Sequence, residues 1–193
     1  MGADERRRKE RLALRNRIIK ATLRIVADEG WDAVTIRRVA TAIEYTPPIV
    51  YEHFENKENL LQEIIVEGHK RLYKTFATAT GKNNDPKKAL VSVSMAHWNF
   101  AFENENLYRL MFDSRRPLPS ETIFSIGQKI EDLFLKLACD ALLARELMFN
   151  WMCLVQGYTF GVLKNGIPPD LSPNPPERLF EQAIGRFLGS ISV

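Results

Sequence analysis

The side chains best placed to do chemistry lie between residues 35 and 61, TIRRVATAIEYTPPIVYEHFENKENLL. The segment reads as two short helices joined by a tight turn, with a third helix following at once. Ile36, Val39, Ala40 and Ile43 recur at helical spacing, so one face of the first helix is apolar while Arg37 and Arg38 point away. In the second, the Thr46 hydroxyl is expected to cap the helix, and Pro47 suits a first turn where a missing N–H costs nothing. That helix is expected to run to Phe54. Val50 and Phe54, four apart, would face the core and leave Pro47, Pro48, Tyr51, Glu52 and His53 on or near the exposed side. A short helix that displays such groups at its N-terminal end is suited to reading the major groove of DNA.

A second concentration of charge precedes it. Nine cations (Arg6, Arg7, Arg8, Lys9, Arg11, Arg15, Arg17, Lys20, Arg24) face one acid, Glu10, between residues 6 and 24. Charge runs are usually solvated helix faces or disordered tails. Next to a helix-turn-helix, a flexible Arg-rich arm can instead reach into the minor groove or along the backbone and add salt-sensitive affinity. Arg6, Arg7 and Arg8 are expected to be mobile without DNA.

The elements that must hold these groups are helical throughout. A first helix is expected to run from the basic arm to Glu29 with Leu12, Ile18, Ile19, Leu23 and Val26 as its buried stripe, and Gly30 ends it. Asn56 caps the fourth helix, which continues through Leu60, Leu61, Ile64, Ile65 and Leu72 to Gly81. Breaks are expected at residues 81–86, where Asp85 caps and Pro86 opens the next helix, at 115–119 and at 165–176. The expected fold is all-α: a helix-turn-helix domain over residues 1–60 and a helical domain over 61–193.

Thr35, Ile36, the Val39–Ala40 pair, Thr46, and then Val50-Tyr51-x-His53-Phe54-x-x-Lys57-Glu58-x-Leu60-Leu61 resemble, in order and spacing, the TetR family of bacterial transcriptional repressors. The resemblance covers the N-terminal third. It implies that Thr35, Tyr51, His53 and Lys57 grip phosphates, that Pro47, Pro48 and Ile49 are the base-reading positions, and that Arg37 contributes from the preceding helix. Two features depart from the family pattern: Glu44 stands where the turn usually carries Gly, and two consecutive prolines open the recognition helix.

The C-terminal part carries a weaker resemblance. HWNFAFENENLYRLMF, residues 97–112, is similar to a segment of TetR-type regulators whose ligand domain is called the WHG type; Trp151 and Gly157 match its Trp and Gly, and Gln156 stands at its His. Aromatic and Met residues are dense here. His97, Trp98, Phe100, Met111, Phe112, Phe124, Trp151, Gln156 and Phe160 are the candidate pocket, with Asn99 and Tyr158 as further polar groups. Such a lining suits a small, mainly hydrophobic effector. Apolar stripes over about residues 146–164 and 177–190 exceed what one small domain needs to bury, so a homodimer through the last two helices is expected.

Other function classes fit poorly. Three histidines and two cysteines (Cys139 and Cys153) match no metal spacing, no Gly-rich phosphate loop or nucleophile elbow occurs, and Glu131-Asp132 and Glu103/Glu105 read as solvated faces. No enzyme activity and no cofactor is expected. The cysteine usage, the lack of a run of about eighteen apolar residues and the lack of an apolar signal core point to a cytoplasmic protein without membrane partners. An all-helical adaptor that binds only protein is the alternative, and specific DNA binding separates the two.

Overall fold

The structure, a computed structural model, describes residues 2–81, 84–113, 120–168, 170 and 173–191, and the side chains of residue 3 and of residues 120–127 lie outside that description. Among the described residues the chain is all-α: α1 (Ala3–Glu29), a 3-10 turn (Trp31–Ala33), α2 (Ile36–Ala42), α3 (Pro47–Tyr51), α4 (Lys57–Thr80), α5 (Pro86–Glu103), α6 (Glu105–Met111), α7 (Ser120–Leu135), α8 (Ala141–Asn165) and α9 (Pro176–Gly189). Two compact units result. The first comprises Met1–Gly68 with Asn106–Arg116, the second His69–Glu105 with Pro117–Val193. The chain passes from one to the other within α4 at Gly68.

The first unit is built on the apolar spacing of α1, α2 and the start of α4. Ile18, Val26, Val39, Ala40, Val50, Leu60, Leu61 and Ile64 are fully buried together. Gly30 ends α1 at φ 84, and its N–H returns to the Val26 carbonyl at 3.0 Å. Asn56 Oδ1 accepts from the Asn59 N–H at 2.9 Å and so caps α4. α6 closes the unit: the Asn106 amide donates to the Ala27 carbonyl at 2.8 Å. At Gly68 an added Cβ would stand 2.6 Å from Met111 Sδ and 3.2 Å from Leu107 Cδ1, so a glycine lets α6 approach α4 this closely.

Leu12 departs from the expected stripe. It is 52% exposed, whereas Ile18, Leu23 and Val26 are buried. The expected stripe reaches back to Leu12, but residues 4–13 of that helix are exposed throughout. Periodicity marks which face is apolar, not how far its partner extends.

In the second unit the Asp85 carboxylate accepts from the Lys87 and Lys88 N–H groups, and Pro86 occupies the first turn of α5 as expected. α5 packs against α7, α8 and α9. Trp98 is enclosed by aromatic rings, with Phe180 of α9 stacked at 4.8 Å and Phe102 at 4.3 Å. Trp151 Nε1 donates to Ser94 Oγ at 2.9 Å, and that hydroxyl donates to the Leu90 carbonyl, so the buried indole N–H of α8 is satisfied by α5. Gly166, at φ 71, ends α8. The expected break at 115–119 lies outside the described residues.

Candidate nucleic-acid interface

α2 begins at Thr35, which is extended and whose hydroxyl accepts from the Arg38 N–H at 3.1 Å. Ile36, Val39 and Ala40 face inward, and Arg37 is exposed as expected. Arg38 is engaged elsewhere, in an ion pair with Glu29 of α1. Thr35, Arg37 and Thr41 border an open cleft of about 510 Å³.

The turn that follows explains the departure at Glu44. This residue takes φ 62, the one described non-glycine with positive φ. A left-handed residue with a side chain costs roughly 1 kcal/mol against glycine. The cost is met locally, because the Tyr45 N–H reaches back to the Ala40 carbonyl at 2.9 Å and the buried Ile43 anchors the turn.

α3 is shorter than the sequence suggests. It spans Pro47–Tyr51, and Phe54 lies beyond it, although the Phe54 N–H still closes on the Val50 carbonyl at 3.0 Å. The chain must leave the helix there to place Asn56 as the cap of α4. The expected Thr46 hydroxyl cap is also absent. The cause lies in the paired prolines: Pro47 and Pro48 have no N–H to donate, and the Ile49 N–H bonds to the Thr46 carbonyl at 3.1 Å. Val50 and Phe54 are buried, while Thr46, Pro48, Tyr51 and Glu52 are exposed and Pro47, Ile49, His53 and Lys57 are partly exposed. Tyr51 is 54% exposed, too much for a ring that serves the core.

His53 sits below its ordinary pKa of 6.5, first because it is partly buried and then because Arg11 and Arg15 disfavour its charge; Glu52 opposes them. It is therefore neutral at pH 7 in the free protein. A phosphate placed against it would raise its pKa, so binding would take up a proton. DNA affinity is expected to rise as pH falls through the bound-state pKa and to level off below the free-state one. Titrating affinity from about pH 8 to pH 5.5 checks this; a His53→Gln protein with the same pH dependence would show that another group is responsible.

The basic segment differs most from expectation. Arg6, Arg7 and Arg8 lie in the opening turns of α1 rather than in a flexible arm. Acids recur at helical spacing among these cations, as in Arg6–Glu10 at 3.4 Å and Lys9–Glu5 at 3.4 Å, each pair adding a few tenths of a kcal/mol. By charge alone Arg15 and Arg17 belong to the same run. Both are instead tied into the fold: Arg15 pairs with Glu63 at 2.9 Å, and Arg17 donates to the Ile43 carbonyl at 3.0 Å. Sequence alone carries no signal for those two contacts.

The candidate pocket residues divide between the units. His97, Trp98, Phe100 and Trp151 are buried in the second, where Gln156 and Phe160 are partly exposed on α8. Burial and the charge of His69 push His97 down to about 3, so it is neutral at pH 7. Met111 and Phe112 belong to the first unit, where Met111 meets Gly68 and Phe112 lies 4.6 Å from Tyr108. The Phe124 side chain lies outside the described residues. Trp98 also borders a cleft of about 420 Å³ with Asn99, Phe102, Glu103 and Pro175–Glu177. Tyr158 borders another, of about 520 Å³, with Gly157 and Gly161.

Residues 18–64, from Ile18 in α1 to Ile64 in α4, match the family described as bacterial regulatory proteins, tetR family. The helix-turn-helix unit is that of the TetR family. The match takes in Thr35, the Glu44 turn, Tyr51, His53 and Lys57 and begins after Arg6–Arg8. An HTH-type transcriptional regulator of Bacillus subtilis, YobS, is 25% identical over 118 residues, which cover 58% of this chain and 61% of that one. The chain thus aligns with less than two thirds of that relative's length. Solved structures extend the likeness in fold beyond the matched segment. A TetR-family regulatory protein from Rhodococcus superposes with TM-score 0.63 at 20% identity, over 92% of this chain and 96% of its own. A TetR protein from Acinetobacter baumannii, in complex with minocycline, gives 0.69 at 17% identity, over 91% and 97%. The chain has the fold of TetR-family transcriptional regulators, an N-terminal helix-turn-helix followed by a helical domain. No helix among the described residues is long and apolar enough to cross a membrane, and no group of three or more His, Cys, Asp or Glu there could hold a metal ion.

Proposed function

We propose that this TetR-family protein is a cytoplasmic transcriptional repressor that binds a palindromic operator as a homodimer and is released by a small hydrophobic effector. The observation that carries the reading is the exposure of Tyr51, next to partly exposed His53 and Lys57, on a helix-turn-helix in which Ile36, Val39, Ala40, Ile43, Val50 and Phe54 are buried. In this reading α3 is the recognition helix. Tyr51, His53, Lys57 and Thr35 hold phosphates, and Pro47, Pro48 and Ile49 read bases. These three offer no side-chain donors, so recognition rests on apolar contact with thymine methyls, with Glu52 able to accept from cytosine. Replacing thymine by uracil in a selected half-site removes only the methyl. It is expected to weaken binding at one or more positions by about 1 kcal/mol, and unchanged affinity at every thymine would refute the readout.

The dimer is assigned to α8 and α9. Leu142, Phe149 and Met152 are exposed on α8, and a Cβ added at Gly157, Gly161 or Gly185 would meet nothing within 4 Å. A second copy packed there would cover the apolar groups and exploit the small ones. Light scattering at micromolar concentration should give twice the 22.2 kDa chain mass; a monomer that bound a full palindrome tightly would exclude this interface. The effector reading draws on the aromatic lining around Trp98 and on the minocycline bound by the Acinetobacter protein. A compound that lowers operator affinity must, by linkage, bind the DNA-free protein more tightly.

A further inference from the structure

We infer that Arg15 and Arg17, though part of the basic run of α1, are positioning residues that fix the two ends of the recognition helix rather than phosphate ligands. The inference rests on the DNA-binding reading above. α3 has five residues and no side-chain cap. A single turn of that kind does not hold itself, because nucleating a helix fixes several residues for one hydrogen bond. Its orientation must come from outside.

Burial of Val50 supplies part of it, and two arginines of α1 fix the ends. Before α3, Arg17 Nη2 donates to the Ile43 carbonyl at 3.0 Å, and its guanidinium lies 5.4 Å from the centre of the Tyr45 ring. Those two residues flank Glu44, whose φ of 62 makes the turn. After α3, the Arg15 guanidinium lies 4.9 Å over the ring of Phe54, and Nη2 is 2.9 Å from Glu63 Oε1 on α4. Phe54 is 3% exposed, so the arginine lies over a ring already set in the core. Residues two apart on a helix point to different sides, which is how neighbouring arginines of α1 reach opposite ends of α3. Each uses the edge of its guanidinium to donate and its face to cover a ring. A lysine ammonium cannot do both.

A phosphate ligand and a positioning residue differ in what their loss does to salt dependence. Removing a phosphate contact lowers the slope of log affinity against log salt by about 0.9 per contact and weakens all sequences alike. Removing a positioning residue leaves the slope and erodes discrimination. The test uses the full chain, its selected duplex and a random duplex, each titrated from about 50 to 300 mM salt. Arg15→Gln and Arg17→Gln should lower the specific-to-random affinity ratio by about tenfold with the random-duplex slope unchanged. Arg17→Lys should keep the charge and still lose the ratio. Arg15→Gln combined with Glu63→Gln should cost no more than Arg15→Gln alone, because the two act through one contact. A reduced slope with an intact ratio, or an Arg17→Lys protein that behaves as native, overturns the inference. Circular dichroism of each variant separates unfolding from mispositioning, and Arg17→Lys serves if the glutamine variant does not fold. A native chain that prefers no duplex would refute the DNA-binding reading instead.

Discussion

Phe180→Ala is expected to destabilise the second unit by about 3–5 kcal/mol, the largest effect of any single truncation considered for this chain. Phe180 is fully buried. Its ring stacks on Trp98 at 4.8 Å and meets Tyr158 at 5.6 Å, so one side chain joins α5, α8 and α9. Truncation removes the transfer energy of the ring and leaves a cavity that two large aromatic neighbours cannot collapse to fill. The thermal midpoint should fall by roughly 10 °C. Phe102→Ala is the control: it too touches Trp98, but it is 40% exposed, and its loss leaves a notch open to water rather than a void. Urea unfolding followed by Trp fluorescence measures both. A Phe180→Ala protein within about 1 kcal/mol of native would mean that α9 is not anchored through this ring.

The parts of this arrangement legible from sequence are those decided within a few residues. Asn56, Asp85 and Gly30 act at helix ends through groups one to four positions away, and their residue types suffice to place them. Thr46 obeys the same logic and fails for a local reason, since the two prolines after it have no N–H and the Ile49 N–H goes to the Thr46 carbonyl instead. The apolar spacing of Ile36, Val39, Ala40 and Ile43 identifies a buried face because both helices that cover it follow the same pattern nearby. Leu12 shows the limit: spacing continues where the packing partner does not. Arg15 and Arg17 show another, because a cation paired with Glu63 or with a backbone carbonyl far along the chain reads the same as one facing solvent. The pocket is least legible of all. Aromatic and Met residues look alike whether they pack a core or line a cavity, and the proximity of Met111 to Trp98 in sequence does not reveal that Met111 packs against Gly68 in the first unit.

Lys57→Ala is expected to weaken operator and random duplexes together, by on the order of a hundredfold at low salt. Lys57 opens α4 directly after the Asn56 cap, and it is partly exposed, so its ammonium is open to a phosphate. A charge-assisted contact is worth about 1.5 kcal/mol or more, and the proposed two-fold dimer would lose two of them, about 3 kcal/mol together. The salt slope should fall by about 1.8, twice the value for one released counterion. Because phosphates carry no sequence, the ratio of operator to random affinity should hold. Ile49→Ala should do the reverse, keeping the slope and losing discrimination at thymines. Lys57→Arg separates charge from shape: it should restore the slope, since a backbone contact needs the cation more than its geometry. If Lys57→Ala left the slope untouched while lowering the ratio, the lysine would be holding the α3–α4 loop in place, and the phosphate contact would have to be sought at Tyr51 or Thr35.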